Sequence, residues 1–382
     1  MNKIIVFGSF CYNTLGLVRS LGMAGHSVIV VAHNKQFKDC IVRLSRYTRE
    51  FHYVPDAQSG LDLLKRKFWN EPERPILLFS SDDAVLAVDS RYEEMKDRFI
   101  FFNARGRVAH YLDKINTFPV AEECGLTLIR SAVLDDPQRI PQGIRYPCLV
   151  KGANSTCSTK DDMGICGSES ELREFVRPGV EYLVQDYIDK EYELNVVGLS
   201  YNHGRDVLVP AVIRKIRDDL HRQSVYMRLD GVDDYPLLDI GAIGRIVEKI
   251  GYEGIFSVEL LFKDGKYYFL EINLRNDGCG FLYTAAGVNY PQLWVMYAQG
   301  RLTPEVAGRV KARTPFFLVA FEDVKNMLEG KISVLEWLRA VATSDAHFIF
   351  SVRDVMPFLF ATYIHARQGL KHALRAVLSA IK

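Results

Sequence analysis

The sequence predicts an α/β protein of more than one domain, and three observations carry that prediction. Strand and helix patterns alternate through the amino-terminal part, which argues for a parallel sheet with covering helices. Farther along, Asn202-His203-Gly204 and Asp264-Gly265 are turn signals between apolar runs, so antiparallel hairpins follow the parallel part. The 382 residues exceed one ordinary domain, and 48% hydrophobic against 25% charged residues suits a globular chain with a substantial core.

Taken in order, Ile4 to Phe7 reads as a strand, Tyr12 to Ala24 as a helix and Ser27 to Ala32 as a second strand, with Gly25-His26 turning the chain. Ile76 to Phe79 is a strand before a helix beginning near Asp83. The first loop, "GSFCYNTLG", has Gly8 and Gly16 but no GxGxxG, which disfavours a nicotinamide cofactor. A helix from about Val108 to Cys124 leads through Gly125 to a strand near Leu128 to Val133. Pro137, Pro141 and Pro147 punctuate a linker before the strand "CLVKG", a polar loop from Ala153 to Asp162 and a helix from Ser170 to Val176. "EYLVQDYIDKEYELNVVGL" reads as two strands hinged near Asp189, returning through Val207 to Ile213. A helix at Ile240 to Ile250 precedes "GIFSVELLF", and "KYYFLEINL" runs back antiparallel. After Pro304 the pattern is mainly helical.

A net charge of +1 makes no case for a nucleic-acid binder. Seven cysteines scattered from Cys11 to Cys279 without a CxxC pair disfavour a zinc site or disulfide framework, and a reducing, cytoplasmic compartment fits best. The start reads as a strand rather than a signal peptide, and no apolar run reaches membrane-spanning length. The tail bears Arg367, Lys371, Arg375 and Lys382 without an acidic residue. A docked terminal helix with a solvated face is the simpler reading of it, while peripheral contact with anionic lipid stays open.

The chemistry concentrates in "YYFLEINLRNDGCG", where an apolar strand turns polar at alternate positions: Glu271, Asn273 and Arg275. Alternate side chains share one face of a strand, so the three groups line up together. An exposed face with an internal Glu–Arg pair explains this equally well on spacing alone. Glu259, on the strand that pairs across Asp264-Gly265, lies nearly opposite Leu270 or Glu271 in a tight hairpin. Two carboxylates and an amide oxygen that converge repel unless a cation sits between them, and hard oxygen donors suit magnesium.

With Glu259 and "EINLR" in place, the sequence resembles the ATP-grasp superfamily, of the carboxylate–amine ligase type (carbamoyl-phosphate-synthase-like or D-aspartate-ligase-like). The resemblance implies an α+β architecture: a Rossmann-like pre-ATP-grasp domain over residues 1–106, a two-subdomain ATP-grasp core over 107–302 divided near 188, and a helical extension over 303–382. It also implies ATP and two magnesium ions, with manganese an acceptable substitute. Glu259 would bind one ion, Glu271 would bridge both and Asn273 would hold the second. Arg275 would face the transferred phosphoryl group or the substrate carboxylate, and Lys215, within the run Arg214-Lys215-Ile216-Arg217, would meet the γ-phosphate or acyl phosphate. A solvated charge run accounts for that segment equally well.

Lys114 and Lys151 match the two lysines that such enzymes aim at nucleotide phosphates, although Lys114 also reads as an ordinary surface-helix lysine. Ser155 and Ser158 stand where the family has a phosphate-covering lid, here without the usual glycines. Gln185, Asp186, Tyr187 and Ile188 would meet adenine mainly through backbone groups. Glu191, ahead of Glu193, would take the ribose hydroxyls. Asp82 in "FSSDDAV" reads as a helix cap.

The implied reaction activates a carboxylate as an acyl phosphate and joins it to an amine, releasing ADP and phosphate. The partners would be small molecules, with an amino acid, a peptide or a sugar acid as substrate and a homodimer left open. A non-catalytic ATP-binding regulator or assembly protein of the same fold is the alternative.

Overall fold

The structure, a computed structural model, describes residues 2–9, 12–34, 40–153, 163–219 and 224–367. The first sheet comprises β1 (Ile4–Ser9), β2 (Val28–His33), β3 (Thr48–Val54), β4 (Ile76–Phe79) and β5 (Ile100–Phe101), all parallel, in the order 3-2-1-4-5. Nearly every residue of β1, β2 and β4 is buried, as a parallel sheet covered on both faces requires. The order reverses between β1 and β4, and open α/β sheets bind ligands at such a switch point, beyond the carboxyl ends of the strands. There Gly8 permits a close approach that no side chain allows: a Cβ would lie 1.8 Å from Ser80 Oγ.

The remaining strands are β6 (Thr127–Leu128), β7 (Ser131–Leu134), β8 (Cys148–Gly152), β9 (Gly164–Cys166), β10 (Tyr182–Asp186), β11 (Tyr192–Tyr201), β12 (Asp206–Leu208), β13 (Val212–Asp218), β14 (Ser224–Asp230), β15 (Gly254–Lys263), β16 (Lys266–Asn273), β17 (Phe316–Val319) and β18 (Ala346–His347). An antiparallel sheet of order 7-10-8-9 carries its own small core of Leu134, Cys148, Val150, Leu172, Tyr182 and Val184 among others. The large sheet runs 18-17-14-13-11-15-16-6, with β12 beside β11, and shares one continuous core with the first sheet.

Several elements differ from the sequence reading. The helix expected over Val108 to Cys124 is two helices, Val108–Leu112 and Lys114–Glu123, because Asp113 breaks the chain and accepts a cap hydrogen bond from the Ile115 N–H. The strand expected over Val207 to Ile213 is split into β12 and β13, with Pro210, which lacks an N–H for the ladder, between them. The carboxy-terminal extension contains helices but also adds β17 and β18 to the edge of the large sheet. Asp354, from that extension, is buried against Arg19 at 2.9 Å and accepts from Ser45 Oγ at 2.8 Å.

Candidate active site

The β15–β16 hairpin turns at Asp264 and Gly265, both at positive φ (48° and 75°), as a two-residue turn between strands demands. The strands pair Phe262 with Tyr267, Leu261 with Tyr268 and Leu260 with Phe269. The register then shifts, and Glu259 stands directly opposite Glu271, Val258 opposite Ile272 and Ser257 opposite Asn273. Leu270 is the extra residue of a β-bulge. Without it Leu270 would face Glu259, and Glu271 would fall opposite Val258 on the other side of the sheet.

The polar face extends onto β11, where Asn195 pairs with Glu259 and Glu193 with Lys215. Asn195 is 1% exposed, and its side-chain oxygen has no partner among the described residues. Beside it, Asp277 accepts from Ser257 Oγ at 3.0 Å and from the Cys279 N–H at 2.8 Å. Asn195 and Ser257 were missed in the sequence reading. A signal for Asn195 was available: "ELN" on β11 repeats the Glu-x-Asn spacing of "EIN" on β16.

Lysines from three different elements converge on the carboxylates. Lys215 Nζ is 2.9 Å from Glu259 Oε2 and also pairs with Glu193. Lys114 is the first residue of its helix and nearly buried, with Nζ 3.3 Å from Glu271 Oε2. That helix is held over the hairpin by Phe118 against the ring of Phe269 and by β6 alongside β16. Lys114 is therefore not an ordinary surface-helix lysine. Lys151, on β8, completes the group from the smaller sheet.

The electrostatics differ from one member to the next. Burial raises Glu259 to about 7, with Lys215 opposing and Glu271, Glu193 and Asp277 adding to the rise. Glu271 is also disfavoured by burial, yet Lys114, Lys151 and Arg275 outweigh this and hold it down to about 2. Burial and the neighbouring Lys114 lower Lys151 to about 8, against the pull of Glu271 and Glu259. For Lys215 the two carboxylates overcome burial and raise its pKa well above the usual lysine value.

The other expected residues are placed as follows. Gln185, on β10, is 1% exposed, and neither atom of its amide has a hydrogen-bond partner among the described residues. The expectation of mainly backbone contact there gives this side chain little weight, yet an unpaired buried amide is costly. Asp186 lies 3.6 Å from Arg145, the Tyr187 N–H donates to the Pro147 carbonyl, and the Ile188 carbonyl accepts from the Lys190 N–H. Glu191 accepts from the Asp264 N–H at 3.0 Å and braces the hairpin turn. Glu193, nearly buried and 2.5 Å from Lys190, shares the face of Glu259. Ser155 and Ser158 lie outside the described residues.

Two further expectations need correction. Asp82 does not cap its helix; Ser81 does, accepting from the Ala84 N–H. Asp82 instead binds the Arg275 guanidinium, at 2.7 and 3.2 Å, so Arg275 is not the charge partner of Glu271 alone. Nor are Arg214, Lys215 and Arg217 a solvated run. Arg214 stacks 4.5 Å over Tyr192, and Arg217 pairs with the fully buried Asp323 at 2.7 and 2.6 Å. The next residues, Asn276 to Gly278, dock on the switch point: the Asn276 N–H donates to the Phe79 carbonyl, and Asn13 Nδ2 donates to the Ser80 and Asn276 carbonyls at 2.9 and 2.8 Å.

Among the described residues no group of three or more His, Cys, Asp or Glu side chains could hold a metal ion. The hairpin provides two carboxylates and one amide, a set that suits magnesium only if phosphate oxygens and water complete its octahedron. The donor chemistry fits that cation: Glu259 and Glu271 stand opposite each other, and the ammonium groups of Lys215 and Lys114 each engage one oxygen of the pair, Oε2 of Glu259 and Oε2 of Glu271. Asn273 Oδ1 is 3.3 Å from Arg275 Nη2 and its Nδ2 3.4 Å from Ser257 Oγ, both at the long limit of hydrogen bonding.

No family model matches the chain. It is 29% identical over 181 residues to the carbamoyl phosphate synthase arginine-specific large chain of Geobacillus stearothermophilus, covering 43% of this chain and 16% of that protein. It is 24% identical over 246 residues to the formate-dependent phosphoribosylglycinamide formyltransferase of Wolinella succinogenes, covering 60% of this chain and 59% of that protein. The chain thus spans less than two thirds of the length of these curated relatives. In fold it is similar to an L-amino acid ligase from Bacillus licheniformis, with a TM-score of 0.65 at 17% identity over 81% of this chain and 78% of the other.

Proposed function

We propose that this chain is an enzyme of the ATP-grasp type, an ATP-dependent, ADP-forming ligase that joins a carboxylate to an amine. Its likeness in sequence to carbamoyl phosphate synthase and the formyltransferase, and in fold to the L-amino acid ligase, supports that reading. The observation that carries the reading is Glu259 directly opposite Glu271, with Lys114 on the second carboxylate. Glu259, Glu271 and Asn273 would hold magnesium, which when bound neutralises phosphate charge and polarises the transferred phosphoryl group.

The side chains divide the remaining work. Gln185 offers a donor and an acceptor from one buried amide, the pair that reads the N6/N7 edge of adenine. Glu193 lies on the same face as the carboxylates and would take ribose hydroxyls. Lys114 and Lys151 are point charges for the phosphates, and Lys215 for the γ-phosphate or acyl phosphate. A substrate carboxylate oxygen attacks the γ-phosphorus; the new O–P bond gives an acyl phosphate, and the broken β-bridging bond releases ADP. The amine nitrogen then attacks the acyl carbon, loses a proton and expels phosphate as the C–N bond forms. Arg275, at the switch point, would orient the carboxylate as a planar two-point donor.

An ADP-release screen of carboxylates crossed with amines, in the presence of magnesium, tests this. Turnover with one pair, lost in Glu271→Gln, is the expected result. One observation favours the regulator instead: Lys215, Lys114 and Arg275 are all paired with acidic groups. Tight ATP binding with no turnover across the whole matrix would select that reading.

A further inference from the structure

We propose that the carboxy-terminal extension docks on the surface of an anionic lipid bilayer. The helix over residues 356–367 is buried along one side, where Pro357 and Ala361 are covered and Phe358 meets the rings of Phe321 and Phe350. A helix packed on one side ordinarily presents polar residues on the other. Here Met356, Leu359 and Tyr363 are apolar and exposed, by 51%, 52% and 58%, and their spacing of three or four residues sets them in one stripe. Val352, in the turn before the helix, is exposed as well. Among the described residues of the same extension, Leu335 and Leu338 are also exposed.

Charge identifies the occupant. The whole chain balances 48 basic against 47 acidic residues, yet positions 355 to 382 contain Arg367, Lys371, Arg375 and Lys382 and no Asp or Glu. An apolar stripe followed by uncompensated basic residues matches a surface with acyl chains beneath anionic headgroups. A second copy of the chain matches it poorly, because a two-fold contact sets the same basic run against itself. The extension also holds a set attitude to the rest of the molecule. Asp354, between Val352 and Met356, is locked to Arg19, Ser45 and the Arg46 N–H. Among the described residues no helix is long and apolar enough to cross a membrane, so the contact would be peripheral.

The test is co-sedimentation of the full chain with phosphatidylcholine vesicles, with and without phosphatidylglycerol. Binding is expected only to the anionic vesicles, falling steeply with salt. The double variant Leu359→Glu/Tyr363→Glu should lose about tenfold or more of that binding while keeping the circular dichroism of the parent, since both side chains are exposed. Three results would overturn the proposal: no sedimentation with anionic vesicles, sedimentation undiminished in the double variant, and light scattering that shows a dimer made monomeric by the same substitutions, which would assign the stripe to a second copy.

Discussion

Lys215 and Arg217 are two residues apart on β13, yet Lys215 reaches Glu193 and Glu259 while Arg217 reaches Asp323 of the carboxy-terminal extension. In a regular strand both would share a face. The register shift between them, with Lys215 opposite Met227 and Arg217 opposite Tyr226, puts them on opposite sides. Removing the buried carboxylate leaves the guanidinium without its partner and frees the irregularity. Asp323→Ala is expected to lower the unfolding free energy by about 3–5 kcal/mol. Urea denaturation of both proteins checks this, and a change of under about 1 kcal/mol would mean the pair does not hold the strand.

Glu271 has charge partners on several sides, and its loss should separate chemistry from folding. Glu271→Gln keeps shape and volume but removes the negative charge that faces Glu259 and Lys114. ADP formation should fall about a hundredfold or more. The fold should persist with a lowered melting temperature, because Lys114, Lys151 and Arg275 lose a shared partner. Manganese binding, followed by electron paramagnetic resonance, should weaken in parallel. Full manganese affinity in the variant would reject Glu271 as a ligand.

The Glu259 carboxyl, raised to about 7 from an ordinary 4.5, sets a pH dependence with a definite sign. Folding favours its neutral form, so its stabilising contribution is present below about pH 4.5 and is lost as pH rises through 7. A divalent cation needs the ionised form, so metal affinity should fall up to about tenfold per unit below pH 7. Calorimetry across that range tests both, and Glu259→Gln should flatten the stability profile.

Gln185 makes a prediction with opposite signs in the free and bound states. Replacing an amide that has no partner by an apolar group of similar size should leave the free protein equally stable or more so. Gln185→Leu is therefore expected to hold or raise the melting temperature while weakening ATP binding roughly 10–100-fold. Thermal melts and titration calorimetry would show it. A variant that binds ATP normally would place adenine elsewhere.

Much of this arrangement was legible because it is local. Alternation along a strand is a two-residue property, so Glu271, Asn273 and Arg275 announce a polar face by themselves, and Asp264-Gly265 announces the turn that brings Glu259 across. Lys151, directly after an apolar strand, was visible for the same reason. Gln185 and Asn195 were underrated or missed because an unpaired amide is a property of surroundings, which only packing reveals. β14 and the short strands β17 and β18 complete one side of the large sheet that sequence pattern did not show.

The sequence alone determined the chemical inventory: which carboxylates, amides and lysines sit on which strand, and hence the resemblance to the ATP-grasp superfamily. Tertiary structure decided what that inventory does. A single bulged residue, Leu270, puts Glu271 opposite Glu259, and contacts across long stretches of chain give Lys114 to Glu271 and Asp82 to Arg275. Such register shifts and distant pairings arise from the competition of whole faces for burial, and no window of neighbouring residues contains the outcome of that competition.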